Sequence, residues 1–597
     1  MLKELEYPFD ASAILQRKKK LRRELLAQKT ARLPKRIAIL GGYTTSDIRQ
    51  MLELFLLDQG IEPEFYESEY NQFYQEAMFP EEELLGFHPD IIYVCTCNRN
   101  VSRMPGLRDT PEQIEEMLRS EYERFCGMWD HLRETFHCPI LQNNMEMPVY
   151  RLMGNRDAWD VHGAVHYLTR LNLLFAEYAG AHESFYLVDI NYLSADYGLR
   201  QWSDPFYWHM YKYAVNVNAI PYLASSVSNI IKSLFGKNKK GLVLDLDNTL
   251  WGGVIGDDGV ENIELGQETS VGQAYLEFQR YLKAQKDLGI VLNVNSKNDE
   301  SNALAGLRHP SGVLRPEDFI VIRANWEPKD RNFEEIADAL SLLPESLVFV
   351  DDNPAERHIV REQIPGVAAP EIGEVYQYII NLDRNGYFET TVFSGDDLER
   401  NEMYRSNAQR RMKEKQFPDY HAYLRSLEMK AEIRAFEPMV MARVAQLTNK
   451  SNQFNLTTRR YTKDEIEQLW QQPDRLTLYG RLSDCFGDNG VVSVVIGRLE
   501  GDTCHIDLWL MSCRVLKREM ETAMMDVLFI KCRDRGIRRV LGYYYPTAKN
   551  GMVRDFYAHQ GFTKIREDAD GSTLWEYVIP ERPEARQDVI RIETDQA

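Results

Sequence analysis

The chain has 597 residues, a formal net charge of −20 at pH 7, and apolar and charged fractions of 44% and 27%. This length exceeds one hydrophobic core and implies roughly three or four domains, while the acidic balance argues against nonspecific nucleic-acid binding. The apolar runs fall short of a membrane span, and the opening MLKELEYPFDASAILQRKKKLRREL lacks the apolar core of a signal peptide, so no membrane partner is expected.

Residues 1–33 read as a helical arm, with KKKLRRELLAQK as its solvated face. RIAILGGYTTSDIRQMLELFLLDQG then reads as strand, turn and helix, and DIIYVCTCNRN, PILQNNM and FYLVDINYL as further strands. The alternation predicts an α/β domain over 34–236. The eight cysteines, Cys95, Cys97, Cys126, Cys138, Cys485, Cys504, Cys513 and Cys532, form no CxxC pair and no spaced zinc set. Reduced thiols in the cytoplasm are the expectation.

After the polar linker KSLFGKNKKG, a second α/β domain is predicted over 237–393. Its first strand, LVLDLDNTLWGG, is apolar like a central parallel strand yet ends in Asp245 and Asp247, two apart and on one side of extended chain. Paired carboxylates there repel and resist desolvation unless a cation accompanies them. Later strands add candidates: Ser296 and Lys297 after GIVLNVN, Lys329 after FIVIRANWEP, and Asp351 and Asp352 after SLVFV. Singly, Asp351 and Asp352 read equally as a helix N-cap, and Lys297 or Lys329 as a surface lysine. Leu250 and the preceding strand exclude an EF-hand.

In order, each at a strand end, these residues suit phosphoryl transfer through an aspartyl-phosphate. Asp245 is the expected nucleophile and Asp247 the proton donor and acceptor. Ser296 and Lys329 would hold phosphoryl oxygens, with Asn248, Thr249 and Lys297 as further substrate-binding candidates. Asp245, Asp351 and the main-chain carbonyl of Asp247 would hold Mg²⁺.

The four motifs resemble those of the haloacid-dehalogenase (HAD) superfamily. DLDNTLWGGVIGDDG, NWEPK and VDDNPAER are similar to its FkbH-like branch, as are LTNKSNQFNLTTRRYT, FGDNG and LMSCRVL near the C-terminus. That branch is named for enzymes that load glyceryl units onto acyl carrier proteins, and related proteins occur in surface-polysaccharide clusters. The resemblance implies a phosphorylated three-carbon acyl donor, loss of phosphate, and transfer of the acyl group to a carrier thiol. The chain departs from the pattern at one point: Asn295-Ser296-Lys297 stands where relatives carry Cys-Ser-Lys, and asparagine cannot form the proposed acyl thioester. The remaining thiols for that step are the carrier's own or Cys513. The 21 residues LWGGVIGDDGVENIELGQETS before the next helix leave room for a hairpin flap only. Such an open site admits a large or carrier-borne substrate.

Residues 394–430 read as a charged helical linker, 431–580 as a third domain and 581–597 as a loose tail. RVLKREMETAMMDVL and NGMVRDFYAHQGF resemble parts of a GNAT acyltransferase, with Lys517 and Glu519 at that family's glycine positions. Asn449, Asn452, Asn455 and Arg459 are either a polar site or a hydrogen-bonded loop. LGGYTTSD, CTCNRN and SDPFYWH fall where an SGNH hydrolase has its nucleophile, asparagine and Asp/His pair. Tyr43 interrupts the usual Gly-Asp-Ser and the Asp204–His209 spacing is too wide, so Ser46 is expected to cap a helix and His209 to be packed. The expected fold class is multidomain α/β. A central HAD Rossmann-like parallel sheet with a minimal cap is flanked by a noncatalytic SGNH-like α/β domain and a GNAT-like α+β domain.

Overall fold

The computed structural model describes residues 2–28, 30, 32–393, 400–414, 416–451, 453–547, 549–582 and 584–594. The chain forms two compact units, Met1–Ser233 and Leu234–Ala597.

In the first unit, β1 (Leu33–Gly41), β2 (Ile61–Glu67), β3 (Ile91–Cys95), β4 (Ile140–Asn143) and β5 (Phe185–Val188) make a parallel sheet in the order β2-β1-β3-β4-β5. Every residue of β3 and β4 is buried, as central parallel strands require. Helices Pro111–Phe136 and Ala164–Ala181 bring together Trp129, Phe175 and Tyr178, with Trp129 ring centroids 4.8 Å and 4.6 Å from the other two. The longer helix starts where Thr110 and Gln113 satisfy each other's N–H groups in a capping box and Pro111 supplies a preset φ.

The N-terminal arm is not merely a solvated face. Helix Ala11–Ala27, capped by Asp10, buries Ile14, Leu21 and Leu25. Its Lys18 pairs with Asp47 at 3.0 Å and its Arg22 with Glu53 at 2.9 Å, both on helix Ser46–Asp58. The lysine run therefore flanks a docking stripe and belongs to the first unit.

In the second unit, β6 (Gly241–Leu244), β7 (Val291–Ser296), β8 (Phe319–Ala324) and β9 (Leu347–Val350) form a parallel sheet in the order β8-β7-β6-β9. Leu244 lies between Val294 and Val350, so Asp245 leaves the sheet beside the ends of β7 and β9. The segment from Asp245 to helix Ser270–Asp287 contains a one-turn helix, Ile255–Asp258, and a 3-10 turn, Val260–Asn262. An antiparallel bridge between Gly252 and Glu264 closes it.

A larger mixed sheet follows, built from β10 (Met429–Arg434), β11 (Phe454–Asn455), β12 (Arg475–Asp484), β13 (Gly487–Glu500), β14 (Thr503–Met511), β15 (Arg539–Tyr544), β16 (Thr563–Glu567), β17 (Thr573–Val578) and β18 (Ile590–Thr594). The order is β16-β17-β15-β14-β13-β12-β10-β18, with β11 on β14. β14 and β15 pair in parallel only over Thr503–Ile506, and farther along β11 takes the edge of β14. Helix Met520–Asp534 covers the core through Met520, Ala523, Met524 and Leu528. It approaches β12 so closely that a Cβ at Gly480 would sit 2.3 Å from Met520 Cε. The expected loose tail is corrected here: β18 pairs in parallel with β10, Met429 opposite Ile590.

Helix Arg400–Glu414, in the expected linker, ties the two sheets of this unit together. Asn401 Nδ2 donates to the Lys286 carbonyl at 2.7 Å. Arg410 donates twice to Asp484 at 2.8 Å, and Arg518 meets the same buried carboxylate at 3.2 Å. Residues 394–399, at the start of that linker, lie outside the described residues.

Candidate active site

Three strand ends of the parallel sheet in the second unit converge on one buried cation. Lys329 is the first residue of helix Lys329–Leu340, placed by the turn that follows β8. Its Nζ lies 2.9 Å from Asp245 Oδ2, just past β6, and 2.5 Å from Asp351 Oδ2, just past β9. All three side chains are nearly buried. Burial alone would lower the lysine pKa, but the charges of Asp245 and Asp351 outweigh it and hold the ammonium protonated. Burial, then repulsion from Asp245, pushes Asp351 up to about 7 despite Lys329.

Asp245, Asp351 and Asp352 each offer a carboxylate oxygen within 4.8 Å of the others. Asp245 Oδ1 is buried and accepts no hydrogen bond. An orphaned anionic oxygen beside two further carboxylates fits a small divalent cation with oxygen ligands. Asp352, whose pKa is raised by burial and by Asp245, joins this set although the sequence placed it only at the strand end.

The carboxylate of Asp247 turns elsewhere. Its Oδ1 accepts from Trp251 Nε1 at 2.9 Å and from the Ile255 N–H at 3.2 Å, and its Oδ2 from Asn298 Nδ2 at 3.0 Å. Burial raises its pKa, with a further push from Asp245, so it can carry a proton. Asn248, in the left-handed region at φ 53°, makes the bend between the two roles. Tyr378 donates to its carbonyl at 2.8 Å and Gly253 N–H to its Oδ1 at 3.0 Å.

The other candidates divide. Ser296 ends β7 and is buried beside this cluster's loops, its carbonyl accepting from Asn325 N–H at 3.2 Å. Thr249 Oγ1 accepts from Asp352 N–H at 3.3 Å, a bond that braces the acidic turn. Lys297 pairs with Glu356 at 2.6 Å. Asn295 Nδ2 donates to the Lys329 carbonyl at 2.8 Å, and its Oδ1 is buried without a partner.

In the first unit, the residues compared with a hydrolase site are not assembled. Among the described residues no hydrogen bond joins Ser46, Asp204 and His209. Ser46 is the first residue of its helix; Thr45 holds the N-cap position and sends its hydroxyl to Glu67 at 2.6 Å, correcting the expected Ser46 cap. Asp204 caps helix Pro205–Tyr211 by accepting from Phe206 N–H at 2.8 Å. His209, expected to be packed, is exposed on that helix. Tyr43 is buried and accepts from Cys95 Sγ at 3.1 Å.

In the third domain, Asn449 Nδ2 donates to the carbonyls of Ala445 and Tyr461, both at 3.1 Å, and Asn455 Oδ1 accepts from Thr458 N–H at 2.8 Å. Arg459 pairs with Asp507 at 3.6 Å. These are the bonds of a structural loop; Asn452 lies outside the described residues. Cys513 begins a 3-10 turn, Cys513–Val515, and its side chain lies outside them.

The family model described as "FkbH, N-terminal domain" matches residues 36–232. A solved structure from Bacteroides fragilis, the N-terminal part of the protein BF1531 containing a phosphatase domain complexed with Mg, is 30% identical over 63% of this chain and 99% of that one, with a TM-score of 0.58. The chain is an FkbH-like protein of the HAD superfamily. The ribosomal-protein-S18-alanine N-acetyltransferase from Escherichia coli matches 25% of this chain and 94% of its own at 13% identity and TM-score 0.20. Ard1 from Thermoplasma volcanium matches 25% and 99% at 19% identity and TM-score 0.21. No curated protein matches the chain.

Three residues of this FkbH-like site escaped the sequence reading. Asn298 orients Asp247, and Trp251 bonds the same carboxylate from the other side. Arg357 donates to the carbonyls of Asp351 and Asp352 at 2.6 Å and 2.9 Å, fixing the acidic turn. A signal existed for each: Asn298 follows Ser296 by two, Trp251 follows Asp247 by four, and Arg357 sits one helical turn into PAER.

Proposed function

We propose that this FkbH-like protein is a Mg²⁺-dependent phosphohydrolase or phosphotransferase that works through phosphorylated Asp245 on a small phosphorylated acyl donor. The observation that carries this reading is Lys329, a buried ammonium bridging Asp245 and Asp351. It offers positive charge where an anionic phosphoryl group must approach a carboxylate.

Asp245, Asp351 and Asp352, with the Asp247 carbonyl, are the residues that would hold Mg²⁺; the cluster and the orphaned Asp245 oxygen support that set. When bound, the ion supplies neutralising charge to the carboxylates and polarises the phosphoryl group. An Asp245 oxygen attacks phosphorus as the bond to the leaving oxygen breaks, and Asp247 gives that oxygen its proton. Water then attacks phosphorus, Asp247 takes the proton, and Asp245 returns with release of phosphate. Ser296 and Lys329 hold the transferring oxygens. Phosphate release from acyl phosphates, with and without Mg²⁺, in wild type and Asp245→Asn tests the reading. Release at the wild-type rate by the variant sinks it.

A second reading adds delivery of the acyl group to an acyl carrier protein, in secondary-metabolite or surface-polysaccharide biosynthesis. Family membership supports it. So does the loop before helix Met520–Asp534, where Lys517 and Glu519 adopt the left-handed backbone usual for glycine, φ 63° and 62°. In this reading 431–580 is the GNAT-like domain, 34–236 an SGNH-like scaffold without its own catalysis, and 237–393 the HAD domain. The free cysteines among the described residues support a cytoplasmic setting. Following carrier mass and phosphate together separates the two readings. Free phosphate with unmodified carrier leaves the plain phosphatase.

A further inference from the structure

The turn that carries Lys329 into the site also carries a tryptophan that the core does not use. Trp326 is 71% exposed, and its Nε1 donates to Asp299 Oδ1 at 2.9 Å. Asp299 is the N-cap residue of helix Glu300–Leu307, and its own N–H donates to Asn298 Oδ1 at 2.9 Å. Asn298 then donates to Asp247. Hydrogen bonds thus run without a break from the exposed ring to the carboxylate assigned to the leaving group's proton.

The other end of the turn is equally tied. Asn325 N–H bonds the Ser296 carbonyl, Asn325 Oδ1 accepts from Glu327 N–H at 3.1 Å, and Lys329 meets Asp245. The turn that bears the ring is thus tied to the phosphoryl site at both ends, through Asp299 and Asn298 to Asp247 and through Lys329 to Asp245. Holding a large apolar ring in water costs rotamer freedom and returns no burial until something covers it.

We infer that Trp326 is a specificity-determining residue whose ring face receives the organic part of the phosphorylated substrate, an extended group with an aromatic or C–H-rich face rather than a two-carbon acyl unit. The inference rests on the phosphoryl-transfer reading above and puts a larger organic group in place of its small acyl donor.

The test measures kcat and KM with acetyl phosphate and with 1-naphthyl phosphate for wild type, Trp326→Ala, Trp326→Gln and Trp326→Phe. Alanine and glutamine are expected to lower kcat/KM for the naphthyl compound about tenfold more than for acetyl phosphate, chiefly through KM, as loss of one stacked ring predicts. Phenylalanine is expected to recover most of the difference. Equal losses on both substrates in the alanine and glutamine variants overturn the role of Trp326 while leaving the phosphoryl chemistry standing. Absence of phosphate release from both compounds by wild type overturns the phosphoryl-transfer reading and this one with it.

Discussion

Asn295 donates from Nδ2 to the main-chain carbonyl of Lys329 across 2.8 Å, so the residue standing where the family resemblance implies a cysteine holds the first turn of the helix bearing the site's buried cation. The amide is a structural strut here and a very weak nucleophile. Asn295→Ala should cost about 0.5–1.5 kcal/mol by removing this one buried hydrogen bond, since the Lys329 carbonyl keeps its partner within the helix, read by denaturant unfolding. It should also slow phosphate release.

Because position 295 offers no thiol, donor and protein together should yield phosphate without a stable acyl-enzyme. Intact-protein mass spectrometry checks this. An acyl adduct abolished by Cys513→Ala would move the acyl step to Cys513, and acylated carrier without any enzyme adduct would favour direct transfer.

Beryllium fluoride should trap an adduct on Asp245, while Asp247→Asn should slow breakdown of the phosphoenzyme more than its formation. Asp351→Ala and Asp352→Ala should each weaken Mg²⁺ binding, measured by titration calorimetry. Unchanged metal affinity in either variant removes that residue from the set.

Glu146 makes the first unit sensitive to pH. Burial pushes its carboxyl up to about 7, against the pull of the Asn98 N–H, which donates to Oε2 at 3.0 Å. A carboxyl whose folded pKa exceeds its unfolded value binds more protons folded than unfolded. Its contribution is fully present below the ordinary glutamate pKa and is lost as pH rises through about 7. The loss is about 3 kcal/mol. Glu146→Gln should flatten this part of the stability profile, and an unchanged slope between pH 4.5 and 7 would contradict it.

The pair Arg410 and Asp484 is buried, so removing one partner strands the other. Arg410→Ala should cost about 3 kcal/mol, softened by Arg518, whereas Asp484→Ala should cost more, because it strands Arg410 and Arg518 together. Thermal unfolding of both variants distinguishes the outcomes.

What sequence could reveal depended on how little else explained a residue. An apolar run ending in Asp245 and Asp247 has few other uses, and the placement of the later candidates at strand ends follows from βα alternation. Lys297 reads as a substrate-binding group or a surface lysine, because its partner Glu356 comes from a helix distant in sequence. Asp352 reads as a helix cap until β9 is set beside β6. The arm's apolar positions are hidden among lysines, since Ala11, Ile14, Leu21 and Leu25 face inward. β18 is short and mostly exposed at a sheet edge, where alternation is weakest as a signal.

That edge strand has a consequence for synthesis. β10 leaves the ribosome long before Ile590–Thr594, and its outer row of peptide groups has no ladder partner in the interval. The nascent domain therefore passes through a stage with an open sheet margin, ready to pair with any neighbouring extended chain. Its last stitch comes from residues that an expression vector truncated after the final helix would omit, and such a product would carry the open margin permanently.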